Sequence, residues 1–506
     1  MECQPVRTQS RCYTLKRNQL CSREETLETI VPDACPDIAR ILDTTGVCRL
    51  ERRELTEGGV LLAGTIQTVT LYVPEGEDGL GRLESEIPFQ HRIECPAQEP
   101  DTRLMAAVWV SGAETRVVNP RKVLLRVSLA ERIRLYGAES ENVSTSMDAD
   151  PQYAIQQRWN HVQTTRIVGT SEKAFTLNDA FSLSPGRWEG DVLLRALPQV
   201  QCTEARMAGQ RLILKGSLGA TLLLRSDDGQ LHTQFCELPF SQMLDAPETE
   251  GECRFQLEVQ VLRMTWGALS ADQRTLPVTA EILAQAVYRK CETMQVLTDL
   301  YSTRYPMKAD FAPVALCRFS SQSERLNIRA LIQTAESVQS VCACHTELGT
   351  AAVQREGERL RITVPGQTTI LYQEESGALN SVVQTFQAET VLDCSGGDTC
   401  VIDTRPGEME ALRSAAGMEL RGTVEVRMDL SHESSLNAVQ SAQLLTDEPW
   451  APGEQPSVVL IRPSGGECVW DIAKRCRSTC QDILTANGLQ DEDALNGQML
   501  LVPRCR

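Results

Sequence analysis

LLAGTIQTVTLYVPEGEDGLGRLESEIPFQ, residues 61–90, and LILKGSLGATLLLRSDDGQLHTQFCELPFS, residues 212–241, are two copies of one pattern. Each sets a glycine eight residues before a large apolar residue, Gly64 before Tyr72 and Gly216 before Leu224. An acidic, Gly-bearing turn and a second apolar run follow, and both copies close on a Pro-Phe pair, Pro88-Phe89 and Pro239-Phe240. The offset is 152 residues. A third copy, LRITVPGQTTILYQEESGALNSVVQTFQ at 360–387, comes 148 residues later, with Val364 in the glycine place, Tyr372 in the apolar place and Phe386 in the aromatic one. The closing segments repeat too. RKVLLRVSLAERIRLY reaches Tyr136, 72 residues after Gly64, and RTLPVTAEILAQAVYR reaches Tyr288, 72 residues after Gly216. MELRGTVEVRMDLS, residues 418–431, is the third closing segment. Recurrence at a fixed period marks one structural unit used three times.

The unit is built of strands. Residues 420–430 alternate Leu420, Gly422, Val424, Val426, Met428 and Leu430 with Arg421, Thr423, Glu425, Arg427 and Asp429, a period of two. Phe255, Leu257, Val259 and Val261 do the same. Short polar turns such as EGEDG and SDDGQ join such runs as hairpins. One apolar face and one wet face imply antiparallel sheets, and several in about 110 residues imply a β-sandwich. Within the repeats helix is sparse, expected where SREETLETIVPDACPDIARIL opens at Ser22 with Glu25 three residues on, a capping-box spacing cut short by Pro32 and Pro36. Polar composition marks two linkers. The expected organisation is an N-terminal segment 1–30, repeat one at 31–137, a linker at 138–180, repeats two and three at 181–305 and 306–435, a linker at 436–456 and a distinct module at 457–506. Trp109, Trp266 and Trp470 are expected to anchor cores.

The last module changes character. A strand at Val458–Ile461 leads to a Gly-Gly turn. Val469, Ile472 and Ala473 then fall on one helical face. Ile483 and Leu484 mark a second helix, and Met499–Val502 a closing strand. The order is βααβ.

The chain has 506 residues and a net charge of −18 from 68 acidic and 50 basic residues. A nucleic-acid binder needs a basic face, so that class is set aside. Arg supplies 43 of the 50 basic residues, most simply a mark of a GC-rich coding genome. No apolar run follows the basic N-terminus and no stretch reaches 18 apolar residues, so neither a secretory signal nor a transmembrane helix is expected. Asn142-Val143-Ser144 is then an inert sequon. Nineteen cysteines, an odd number, cannot all pair internally. They read as small buried apolar residues or as thiols held for later oxidation.

Catalytic signatures are missing. The sequence has no Walker A loop, HExxH, GxSxG or calcium loop, and its five histidines, 91, 161, 232, 345 and 432, are scattered. Cys342-Ala343-Cys344-His345 is the nearest thing to a zinc motif, with Cys394 and Cys400 as further donors. A Cys-x-Cys on a strand also simply sets two thiols on one face. No metal and no cofactor is expected.

Residues Gly466 to Ala473, then Asp482-Ile483-Leu484 with Asn487-Gly488-Leu489, then Gly497-Gln498 and Leu501-Val502-Pro503, resemble a LysM module. The resemblance implies a partner or glycan site on two loops: Gly466, Glu467, Cys468, Val469 and Trp470, and Asn487, Gly488, Leu489 and Gln490. LysM modules commonly bind N-acetylglucosamine glycans. Here Glu467-Cys468 replaces the usual Asp-Thr and Asn496 the usual Pro, and Cys is a poorer hydrogen-bond partner than Thr. VPDACPDIARIL, GTIQTVTLYV, the IPFQHRIECP segment and RKVLLRVSL resemble the SPOCS domain of bacterial spore coat proteins over about residues 31–137. Repeat two is a fair match and repeat three a faint one. SPOCS repeats before one LysM are similar to a clostridial spore envelope family whose LysM end is implicated in docking on the coat's basement-layer ATPase. The resemblance implies a mainly β, non-enzymatic coat scaffold, with coat assembly proteins as partners and a mother-cell then forespore-surface location. Two alternatives are a peptidoglycan-binding structural protein and, in a third class, a thiol- or zinc-dependent enzyme.

Overall fold

The computed structural model describes residues 2–3, 5–76, 79–96, 99–183, 192–248, 251–270, 274–394, 398–415, 417–450, 456–491 and 498–504. Six strands make the first repeat: β1 (Pro5–Ile30), β2 (Ile38–Thr56), β3 (Gly59–Pro74), β4 (Gly81–Glu94), β5 (Arg103–Asn119) and β6 (Lys122–Met147). The second repeats the order: β7 (Ile155–Ser182), β8 (Val192–Ala208), β9 (Arg211–Arg225), β10 (Leu231–Asp245), β11 (Cys253–Trp266) and β12 (Thr275–Ser302). The third is β13 (Met307–Ile332), β14 (Val338–Leu348), β15 (Ala352–Glu356), β16 (Arg359–Glu374), β17 (Leu379–Asp393), β18 (Asp398–Ser414) and β19 (Gly417–Leu444).

Each repeat is a sandwich of two antiparallel sheets. In the first, β2–β3–β4 faces β1–β6–β5; in the second, β8–β9–β10 faces β7–β12–β11. In the third, β14 and β15 pair end to end along one edge of β16, β17 pairs along the other, and the facing sheet is β13–β19–β18. Alternating inward residues fill each core, as Leu62, Ile66, Val127 and Leu129 do in the first and Leu212, Leu214, Ala280 and Ile282 in the second. The mainly β, three-sandwich reading therefore holds.

Three local expectations do not hold. The helix from Ser22 is strand: β1 pairs with β6 from Pro5 opposite Met147 to Ile30 opposite Lys122. β-branched Thr26, Thr29 and Ile30 favour extended backbone, and Glu25, the supposed capping residue, lies 2.7 Å from Nε2 of His91 on β4. The expected linker at 138–180 is largely strand, because β6 runs on to Met147 and β7 occupies Ile155–Ser182. Its polarity reflects strands with one face in water. β19 likewise runs through 436–444, the start of the second expected linker, whose residues 451–455 lie outside the described ones. The strands thus extend the repeats to 5–147, 155–302 and 307–444. Trp109 and Trp266 are only half-buried, whereas Trp470 is buried.

The repeated glycine has a packing reason. Gly64 lies opposite Phe89, and Gly216 opposite Phe240. In the third repeat Val364 lies opposite Ala388, and the glycine partner of Phe386 is Gly366. The pair has moved two residues along the strand, which keeps it on the same face.

Equivalent residues of the repeats meet one another. Leu71, Leu223 and Leu371 form one buried cluster with Leu42, Leu194 and Cys342. A second lies where the closing strands end: Met147, Leu297, Leu300, Val439, Ala442 and Leu444. The repeats therefore pack around an approximate threefold axis. Charges also cross between them. Arg195 of the second repeat donates to Asp43 of the first, and His345 Nδ1 of the third lies 3.4 Å from the same carboxylate. Arg132 and Arg134 of the first both pair with Glu258 of the second and Asp403 of the third. Planar guanidinium forks suit such shared carboxylates.

Candidate functional site

The C-terminal module is β20 (Val458–Ile461), α1 (Val469–Cys476), α2 (Cys480–Asn487) and β21 (Leu500–Pro503), with β20 and β21 antiparallel. This is the βααβ order read from the sequence. Val469, Ile472, Ala473 and Cys476 of α1 are buried against Ile483 and Val502. Thr479 caps α2 by accepting from the Asp482 N–H at 3.0 Å, and Gly488 ends it at φ 64°.

Most of the nine residues expected at the two loops are used in holding the module together. Gly466 takes φ 87° in the turn and is exposed. Glu467 accepts from the Ser464 N–H at 2.9 Å and pairs with Arg475 at 2.8 Å. Cys468 precedes α1. Its N–H and thiol both donate to Asp471 Oδ2, at 3.0 and 3.2 Å, and these bonds hold the Asp471 carboxyl below the usual range. Val469 is wholly buried. Asn487 donates to the Ile483 and Leu501 carbonyls and accepts from the Leu501 N–H, all at 2.7 Å, so its amide ties α2 to β21. Leu489 closes the end of α2 and packs on the core. Gly488 and Gln490 remain exposed. Gly497 and Asn496 of the motif lie outside the described residues.

Trp470 points into the second repeat. Its Nε1–H donates to Asp299 Oδ2 at 2.8 Å, and Lys474 Nζ reaches both oxygens of Asp299 at 2.7 and 2.8 Å. Tyr301 meets the Trp470 ring edge-on at 4.9 Å and donates to the Ser478 carbonyl at 2.8 Å. Arg158 stands 5.9 Å from the Trp470 centroid and donates to Cys468 Sγ at 3.6 Å. Tyr301 is only 5% exposed and belongs to the module's own core. The module is thus seated on the ends of β7 and β12. Asp299, Tyr301 and Arg158 gave no sequence signal, since they lie more than 160 residues from their partners. The spacing of Trp470 and Lys474, one helical turn apart, was the only available hint.

The Cys-x-Cys segment does not set two thiols on one face. A register shift between Val341 and Ala343 sends Cys342 into the axial cluster and Cys344 into the core of the third sandwich. His345 turns to Asp43 instead, and burial pushes its pKa down to about 4, leaving the imidazole neutral near pH 7. Among the described residues no group of three or more His, Cys, Asp or Glu side chains converges on a metal-sized site. Cys12, Cys48, Cys342, Cys344, Cys394 and Cys400 are in no disulfide. Burial pushes Cys48 up to about 12, and Cys12 and Cys400 up to about 11, which suppresses thiolate chemistry.

The geometry agrees with two matches to family models. Residues 37–118 match the SipL, SPOCS domain, and residues 466–503 match the LysM domain. The first covers most of β2 to β5, the second the loop before α1 through β21. Both are binding or structural domains, and together they support a spore-related protein with a peptidoglycan-binding LysM module. No curated protein matches the chain. No helix among the described residues is long and apolar enough to cross a membrane.

Proposed function

From a chain that carries a SPOCS domain and a C-terminal LysM domain, we propose a non-catalytic scaffold of the spore coat and envelope, made in the mother cell and held at the forespore surface. The three sandwiches form one block, and the LysM module is its docking end for a coat assembly ATPase. The observation that carries the docking role is how few polar groups the two LysM loops leave free. Cys468 is spent on Asp471 and Arg158, Glu467 on Arg475, and Asn487 on β21. A sugar groove needs convergent, uncommitted donors and acceptors. Protein docking needs shape and a few anchors, and gains from several weak contacts on one chain.

Peptidoglycan binding by the LysM module is the second reading, favoured by the domain match itself. The two are separated by co-sedimenting the full chain with purified cortex peptidoglycan beside a pull-down on the purified ATPase. Retention by the ATPase alone is expected, and pelleting with glycan alone overturns it. Deleting residues 457–506 is expected to release the protein from the forespore surface while the sandwiches stay folded. A truncated chain still concentrated there refutes the docking role.

A further inference from the structure

A cavity of about 1020 Å³ opens between the three repeats, at the upper end of ligand-site sizes. Its walls include β2, β5, β8, β11, β14 and β18, and every one of these is the edge of its sheet. Each sandwich therefore presents its unpaired strand edges towards the cavity. An open edge carries a row of backbone N–H and C=O groups at a spacing that only another extended chain matches.

On β5 that edge is closed at both ends and open in the middle. Gln285 Nε2 donates to the Leu104 carbonyl at 3.4 Å, and Gln260 Nε2 to the Ala106 carbonyl at 2.7 Å. Both glutamines belong to the second repeat. Past the bulge between Val110 and Gly112, the Ala113 backbone bonds the Glu347 carboxylate of the third repeat. Outward backbone groups recur every second residue, so Val108 and Val110 are next after Leu104 and Ala106. Both line the cavity, and no hydrogen bond to their outward groups occurs among the described residues. The lining is mixed, and Val200, Leu257, Val259 and Leu348 are among its apolar side chains. Of the charges at the wall, Arg132 pairs with Glu258 and Asp403, Arg325 with Glu425, Arg427 with Asp429 and Glu204 with Lys215, while Arg405 also lines the cavity.

We infer that this cavity binds a short extended segment of a partner polypeptide, apolar at alternate positions, which adds as a strand to β5 at Val108 and Val110. Backbone pairing would supply affinity, and the apolar part of the wall would select the side chains. The site is independent of the LysM module and of its ligand.

The test uses the full chain and a displayed library of random heptapeptides, with the best binder then synthesised. Binding at one peptide per chain is expected, with amide exchange at Val108 and Val110 slowed at least tenfold. Val108→Pro, which removes one outward N–H, is expected to weaken binding at least tenfold; proline is tolerated on edge strands. Should that variant not fold, N-methylating alternate peptide residues removes the same bonds from the other side and is expected to cost the same factor. No enrichment over background overturns the inference. So does a bound peptide that leaves exchange at Val108 and Val110 unchanged, or one indifferent to N-methylation.

Discussion

Phe240 lies across the strands from Gly216 with its Cζ 2.7 Å from where a glycine Cβ would be. Phe89 stands over Gly64 and Phe386 over Gly366 in the same way. A ring laid on a strand glycine fills the groove left by the missing side chain and covers its backbone. The pair pins the register of two strands in each repeat, which is why its sequence signature survives three copies.

Gly216→Val forces a side chain into the Phe240 ring and the Gln201 carbonyl. A loss of about 2–3 kcal/mol is expected from overpacking, read as a lower urea midpoint at constant slope. Phe240→Ala empties the same place and is expected to cost at least as much.

Arg134 is 1% exposed and faces Glu258 and Asp403. Arg134→Ala leaves two buried carboxylates short of a partner, for an expected loss of about 3–5 kcal/mol. Arg132→Met and Arg134→Met combined with Glu258→Gln and Asp403→Asn is expected to recover most of it, because no charge of the network is then left unpaired. Chemical denaturation of the three chains distinguishes a shared network from separate pairs.

Burial raises the Glu347 carboxyl to about 7. A raised carboxyl pKa means the folded state binds the extra proton, so its stabilising contribution is present at low pH. That contribution is lost as pH rises from about 4.5 to 7. Glu347→Gln removes the dependence, so the variant is expected to gain on the parent by up to about 3 kcal/mol between pH 5 and 8. His345 runs the other way, losing stability as pH falls towards about 4, but does so in both chains and cancels. Parallel stability profiles would contradict the assignment.

Asp299→Ala strips Trp470 and Lys474 of their shared acceptor. Docking is expected to weaken by about 2–3 kcal/mol. Faster hydrogen exchange over residues 469–476, with the sandwich strands unchanged, is the expected signature.

Thiol labelling should follow burial. Cys291 is exposed and is expected to alkylate first at pH 8, while Cys48, Cys12 and Cys400 resist until the chain unfolds. Timed mass mapping of the alkylated chain measures the order.

The sequence was most legible where strands carry apolar residues at alternate positions inside a sandwich. Leu420 to Leu430 and the Gly-to-Tyr spacing gave the repeats, and Val469, Ile472 and Ala473 gave α1. It was least legible where strands face water, because polar alternation at residues 138–180 looks like linker until pairing with a distant strand is known. The Ser22–Glu25 spacing was a local signal overruled by 25 paired residues along β6. At the module, the motif located the loops but not their occupation. That Asn487 is consumed by Leu501, and Trp470 by Asp299, depends on contacts no local pattern encodes.

Asp43 and Arg195 hold the same place in their repeats, one opposite Leu71 and the other opposite Leu223. Three identical subunits assembled around such an axis would have to put three like charges, or three neutral residues, at that place. A single covalent chain is free of that rule. One copy carries the anion, the next the cation, and the third a neutral imidazole two residues along its strand. Tandem linkage has converted a position of mandatory repulsion into one of attraction, and has fixed which copy stands beside which. An assembly of three copies of the first repeat, or of the second, would bring like beside like and disfavour itself.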